Sequence, residues 1–463
     1  MVKGIRTDFE SVTWMGSERR LARFIGRPVA RFLHVEAAGG ILLLLATAAA
    51  LVWVNIATDS FVRFWSTEIS LVIGDFELSE DLIHWVNDAL MTVFFFVVGL
   101  EIKREMVTGQ LRDRRAAMFP VIAAVGGMVV PAAIYLTLNL GGAGESGWGI
   151  PMATDIAFAL GIVALLGSRV PSALKIFLLT LAIADDIGAI VIIAIFYTSD
   201  LSLGWLLLAI GLLGVMAIMK RAKVWYIPAY FVVGVFVWLA TFESGIHATI
   251  AGVAMGLLTP ARPLMAAREA EQAVDTLERR EDVTASDVRR ASFTIRESVS
   301  VAQRLEDMLH PWSSYVIVPI FALANAGILF SRAAIEEAVT SPITIGVVLG
   351  LVVGKTIGVG GFALLAHRLR LATVPPGIRG AHMVGIAAIA GVGFTVSLFI
   401  TGLAFEDLAL QDEAKTGILV GSVLAGIIGA AVLYRAGSDV PPDPEIEPSM
   451  DAVRVPVESG ARG

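Results

Sequence analysis

Runs of Ile, Leu, Val, Ala and Phe recur from Phe32 to about residue 435, with only short polar breaks between most of them. A helix needs about 20 apolar residues to cross roughly 30 Å of hydrocarbon. Read with a window of about 19 residues, the pattern predicts about twelve such helices. They lie near 33–57, 84–105, 116–139, 149–167, 173–197, 203–220, 224–241, 245–260, 312–331, 343–366, 381–404 and 412–435. The fourth run is short, and only "FESG" separates the seventh from the eighth.

Three stretches break the pattern. Residues 61–79, "FVRFWSTEISLVIGDFELS", alternate in part around Gly74-Asp75, which reads as a β-hairpin turn or as an ordinary external loop. Residues 261–305 are rich in Arg and Glu, and are expected to be partly helical and exposed, as a connector or a regulatory surface. From Ser438 the chain is acidic and Pro-rich, a composition that argues disorder.

Composition agrees with this reading. Hydrophobic residues make up 56% of the 463 and charged residues 17%, too little polar surface for a soluble protein of this length. Cysteine is absent, which excludes disulfides and thiolate metal sites. No cleavable signal peptide is expected, because the basic stretch "RRLARFIGRPVARF" precedes the first apolar run. The net charge of −7 hides an asymmetry. With the N-terminus inside, "KREMVTGQLRDRR", "SRVPSALK", "KRAK", the 261–311 segment and "HRLRL" all fall in the cytoplasm. Only Arg63, Arg332 and Lys415 fall outside. Both termini are therefore expected to be cytoplasmic.

Four ionisable residues remain within the spans: Asp155, Asp185, Asp186 and Lys355. At roughly 2.5–3.5 kcal/mol each, they cost on the order of 10 kcal/mol if unpaired. Lys355 can pair well with only one carboxylate, so at least one acid is expected to hold a proton or a cation. A salt bridge that merely locks helices together accounts for one Asp and the Lys and leaves two acids unexplained. A site whose carboxylates choose between a proton and a metal ion is an exchange site.

The backbone near these charges is unusual as well. Gly149 and Pro151 precede Thr154-Asp155, and Gly391 and Gly393 sit inside the eleventh run. Glycine is common in membrane helices for close packing. Paired with charges, the two interruptions point instead to broken helices whose half-helix dipoles need compensation at mid-membrane. Asp155 could neutralise facing N-terminal ends, and Lys355 facing C-terminal ends.

The chain resembles the bacterial NhaA-type Na+/H+ antiporters. The resemblance rests on "HVEAAGGILLLLATAAAL", "FFFVVGLEIKREMVTGQL", "IPMATDIAFALGIVALLGSRVPSALKIFLLTLAIADDIGAI", "SGIHATIAG", "LEDMLHPW", "PIFALANAG", "GKTIG" and "GVGFTVSLFI", and covers about residues 34–405. It implies an all-α polytopic protein of about twelve helices, built from inverted repeats with two interrupted helices crossing at mid-membrane. It also implies a homodimer in the bacterial inner membrane that exports Na+ or Li+ and imports H+ without ATP, electrogenically and under pH control. On that resemblance Asp186 is the principal cation ligand and Asp185 the partner carboxylate that contacts Lys355. Thr154 and Asp155 belong to the broken-helix site. Glu101, Arg104 and Glu105 form a cytoplasmic cluster tied to pH activation, His247 and Glu306 share in the pH response, and the 61–79 hairpin makes the dimer contact. Segment 1–32 would be a basic cytoplasmic arm, 33–436 the transport domain with its 261–311 connector, and 437–463 a disordered tail.

"LEDMLHPW" keeps Glu306 and His310, but Asp307 stands where some relatives carry a further histidine. The 261–305 segment is also longer than in the shortest members. Both departures touch the regulatory face. No enzymatic activity, cofactor or nucleic-acid partner is expected; the partners are Na+ or Li+, H+ and the lipid bilayer. The Gly-x-Gly-Asp run of intramembrane aspartyl proteases is missing. "GLVVGKT" is one residue too tight for a phosphate loop and lies within a span. A proton- or sodium-coupled symporter on the same fold is the alternative.

Overall fold

The computed structural model describes residues 38–437 apart from 75, 199–200, 223, 225, 281, 331 and 372–377. The basic N-terminal segment and the Pro-rich tail read from the sequence lie outside the described residues.

In hydrocarbon an unpaired backbone group has no partner, and a helix satisfies its own. The apolar runs accordingly form helices α1 (Ala38–Ile56), α2 (Leu82–Val107) and α3 (Arg114–Asn139). The interrupted stretch Glu145–Arg169 follows, with α4 (Ile156–Leu166) as its regular part. Next come α5 (Ser172–Phe196), α6 (Leu203–Arg221), α7 (Ile227–Phe242) and α8 (Thr249–Leu258). A polar pair, α9 (Ala267–Glu278) and α10 (Ala285–Glu297), leads to α11 (Val301–Trp312) and α12 (Val318–Asn325). The chain ends in α13 (Pro342–Arg368), α14 (Gly380–Ile389), α15 (Phe394–Ala404) and α16 (Leu408–Ala436).

Among the described residues, eight stretches are long and apolar enough to cross a membrane, and α14 with α15, bent by 46°, make a ninth. The protein is thus a mostly helical, multi-pass membrane protein. The runs at 224–241 and 245–260 fall on α7 and α8, of 16 and 10 residues, separated by a turn in which Gly245 has φ +81°. The run at 312–331 continues α11 through a wide turn at Ser313–Ile317 into α12, which stops at Asn325.

Two packing features place the charges. Where α3 crosses α13, a β-carbon on Gly126 would lie 2.3 Å from the Gly358 carbonyl oxygen, and one on Gly358 would lie 2.2 Å from that of Gly126. The two backbones touch, and this brings Lys355, one turn earlier, into the interior. Buried Asn325 donates from its amide to Asn87 Oδ1 at 2.8 Å and receives a longer bond of 3.3 Å in return, joining α12 to α2. Such polar pairs hold membrane helices together at about 0.6 kcal/mol or more each.

Residues Glu68–Ile73 and Phe76–Asp81 form an antiparallel two-stranded sheet, with Ser70 opposite Ser79 and Gly74 at φ +65° in the turn.

Candidate functional site

Asp185 and Asp186 are adjacent on α5, so they point about 100° apart and meet different surroundings. Asp185 faces Lys355. Both side chains are 0% exposed, and Lys355 Nζ is ion-paired and hydrogen-bonded to Asp185 Oδ2. Lys355 follows a widened helical turn, Gly350–Gly354, inside α13. Turns of this kind recur at functional sites.

Thr154 completes the pair. Its hydroxyl accepts a hydrogen bond from Lys355 Nζ at 3.0 Å. It lies 2.6 Å from Asp185 Oδ2 and 2.8 Å from the Ala390 carbonyl oxygen, and its single proton serves one of these at a time. Ala390 ends α14, and its carbonyl is one of the helix's orphan acceptors. Lys355 thus reaches the negative end of a half-helix dipole through one hydroxyl.

Asp155 serves the opposite ends. Its Oδ1 accepts the Phe158 N–H at 3.1 Å, capping α4. Its Oδ2 accepts the Thr395 N–H at 2.9 Å and the Thr395 hydroxyl, capping α15. The chain breaks themselves are joined where the Asp155 N–H donates to the Val392 carbonyl at 2.6 Å. One carboxylate therefore sits at two helix N-termini, where their dipoles favour negative charge.

Asp186 differs from both. It is 6% exposed, and among the described residues its carboxylate accepts no hydrogen bond and joins no ion pair. Asp185, Glu101, Asp155 and Lys355 are the charges that act on it. Asp185 Oδ1, buried, also lacks a hydrogen-bond partner. Three acids and one lysine leave an uncompensated carboxylate in the interior. A buried charge of that kind is held only with a counter-ion or a proton. No three His, Asp or Glu side chains converge on one point among the described residues. A cation here would draw on two aspartates and on hydroxyl or carbonyl oxygens, the hard ligands that suit an alkali ion.

Residues 30–433 match the model of the family described as Na+/H+ antiporter 1. The chain belongs to that family. It is similar to the Na+/H+ antiporter NhaA of Rhodopirellula baltica, at 47% identity over 416 residues, covering 88% of this chain and 93% of the relative. NhaA 3 of Frankia alni is 44% identical over 415 residues, 89% of each chain. NhaA of Cronobacter sakazakii is 44% identical over 420 residues, 90% of this chain and 99% of that one.

Members of the Na+/H+ antiporter 1 family are transporters, and the remaining sequence-predicted residues fall into two places. Arg104 on α2 pairs with Glu306 on α11 and lies 3.5 Å from Glu105, which accepts the Gln110 N–H at 2.9 Å. Glu101 lies within electrostatic reach of Glu306, Arg104 and Glu105 on one side and of Asp186 on the other. Burial raises the Glu306 carboxyl above its ordinary range, and the Arg104 guanidinium opposes that shift. Glu306 Oε2 has no hydrogen-bond partner. His247 is not in this group. It lies in the α7–α8 connection, against the Tyr197 carbonyl.

Sequence reasoning misses Thr395. Its signal is positional: a hydroxyl residue two places after Gly393, at the first turn of a new helix, is placed to meet a capping acid.

Proposed function

We propose that this protein exchanges cytoplasmic Na+ or Li+ for external H+ across the bacterial inner membrane, electrogenically and under pH control, by alternating access around Asp185 and Asp186. The observation that carries the reading is the unequal treatment of the two aspartates. Lys355 and Thr154 hold Asp185, while Asp186 is buried with no partner among the described residues. Proton and cation then compete for Asp186, and their competition is the coupling. Asp155 and Lys355, at opposite half-helix ends, support the reading of two crossed broken helices, the transporter core for which this family is an established example.

On the same reading the fold has about twelve spans in inverted repeats, with α7, α8 and the 312–331 run through α12 among them. Both termini are cytoplasmic on the Lys/Arg bias. The exposed edges of the Glu68–Ile73 and Phe76–Asp81 strands suit a homodimer contact by strand pairing. Glu101, Arg104, Glu105 and Glu306 form the regulatory cluster, and His247 acts in the pH response from the other end.

The test is Na+-induced dequenching of a pH dye in everted vesicles, scanned from acid to alkaline pH. Sodium entry should drive protons out of the vesicle. Sodium entry that drew protons in with it would establish a symporter instead and overturn the reading.

A further inference from the structure

The α9–α10 hairpin is rigidly built. Thr284 caps α10 by accepting the Asp287 N–H at 3.3 Å, and Asp287 returns a bond from the Thr284 N–H at 3.1 Å. Arg280 pairs with Asp287 at 2.6 Å. Buried Glu297 is held by Arg304 through two bonds of 3.2 and 3.3 Å, and its carbonyl accepts the N–H groups of Leu264 and Met265 at 3.0 Å. These contacts fix the hairpin to the start of α11.

The two helices present opposite chemistry. On α10 the acids Asp287 and Glu297 are both taken by arginines. Its other charges, Arg289, Arg290 and Arg296, are exposed and all positive; Arg296 also pairs with Glu297 at 3.2 Å and lies over the Phe293 ring, which leaves Arg289 and Arg290 as the outward charges outside that pairing. Beside them stand Val288, Phe293 and Ile295, 48%, 43% and 41% exposed. Spacings of three and four put Val288, Ser292 and Ile295 on one ridge and Arg289, Phe293 and Arg296 on the next. On α9 the outward charges are mostly acidic, Glu269, Glu271, Asp275 and Glu278, beside one cation, Arg268, and one large apolar residue, Val274, 41% exposed. An apolar face studded with arginine is the pattern of a helix lying at a lipid surface; an acidic one belongs in water. The anchoring helix α11 ends at Trp312, 61% exposed, and an indole there suits the headgroup level.

We propose that the outward face of α10 docks on anionic phospholipid headgroups of the cytoplasmic leaflet, with α9 turned to water. This rests on the proposed orientation, which puts the 261–311 segment in the cytoplasm. The hairpin tied to Glu306 through α11 is thereby tied to the membrane surface.

The chain's lack of cysteine makes the experiment direct. F293C and D275C are each labelled with an environment-sensitive NBD dye and reconstituted with phosphatidylcholine alone or with added phosphatidylglycerol. The F293C probe should shift to the blue and be quenched by brominated lipid when phosphatidylglycerol is present. The D275C probe should stay in water in both vesicles. R289Q with R290Q removes two charges, each worth about a factor of five near an anionic surface. Docking should weaken by roughly 25-fold in that background. An F293C probe as water-exposed as D275C in phosphatidylglycerol vesicles would overturn the proposal. Labelling of F293C by an impermeant maleimide in intact cells, and not in everted vesicles, would overturn the orientation and the docking with it. A water-exposed probe that is labelled only in everted vesicles would overturn the docking alone.

Discussion

Thr395 and Asp155, 240 residues apart in sequence, are hydrogen-bonded across two chain breaks. The carboxylate meets both the backbone N–H and the hydroxyl of Thr395 while its other oxygen caps α4. Thr395→Val keeps the shape and the backbone bond but removes the hydroxyl. A hydrogen bond to a charged group contributes about 1.5–3 kcal/mol. The variant should lose thermal stability by about that amount in detergent. A midpoint unchanged from the parent would show that the hydroxyl contributes nothing to joining the breaks.

Asp186→Asn tests the buried carboxylate. An amide cannot release a proton or neutralise a dehydrated cation. Since Asp186 accepts no hydrogen bond among the described residues, its neutral replacement should leave stability within about 1 kcal/mol of the parent. Na+-driven dequenching in everted vesicles should vanish. Residual exchange by a well-expressed variant would refute the assignment.

The division of labour at "ADDIGA" can be read from voltage. With the second proton carried by the Asp185–Lys355 pair, each cycle moves a net charge, worth about 2.3 kcal/mol per 100 mV. The double change Asp185→Asn with Lys355→Gln should leave an exchanger that binds Na+ at Asp186 and moves one proton per Na+. Its rate in proteoliposomes should ignore a valinomycin-imposed potassium potential. Acceleration by that potential would place the second proton elsewhere.

Glu306 gives a pH prediction with a definite sign. Burial raises its carboxyl above the ordinary value of 4.5. Between that value and the raised one, the folded protein keeps a proton that the unfolded chain has released. The stability this contributes is complete below 4.5 and is lost as pH rises through the folded value. Glu306→Gln keeps a neutral group at all pH. The parent's thermal midpoint should fall more steeply than the variant's as pH rises through that window, and the exchange profile should shift. Parallel curves would show that Glu306 does not titrate with folding.

Some of this was legible in the sequence and some was not, for physical reasons. Hydropathy responds to solvent, so the apolar runs identify a helical membrane protein, and charges inside them single out Asp155, Asp185, Asp186 and Lys355. The same average cannot register where a helix stops. The 224–241 and 245–260 runs end at α7 and α8 because the turn around Gly245 and the Tyr226–Ile227–Pro228 start are local events. Nor does it reveal which oxygen a side chain meets. The double capping by Asp155 and the two neighbours of the Thr154 hydroxyl depend on helices brought together from distant parts of the chain. Within 261–305, composition announces exposure and partial helix, while the Thr284–Asp287 cap that starts α10 is a spacing readable in the sequence itself.

The contact of Gly126 with Gly358 bears on how the site can move. Backbones in contact cannot approach further, and the side chains of Phe362 and Val359 pack against the same stretch of α3. The crossing of α3 and α13 is therefore a fulcrum, about which the helices turn more readily than they slide. Lys355 is three residues from it, about 4.5 Å along the axis at 1.5 Å per residue. A swing of about 20° would carry its backbone only about 1.5 Å, a short lever arm on that rise. So close to its pivot, the ammonium would change hydrogen-bond partners by a small tilt, with the helix ends sweeping much further than the charge they bracket.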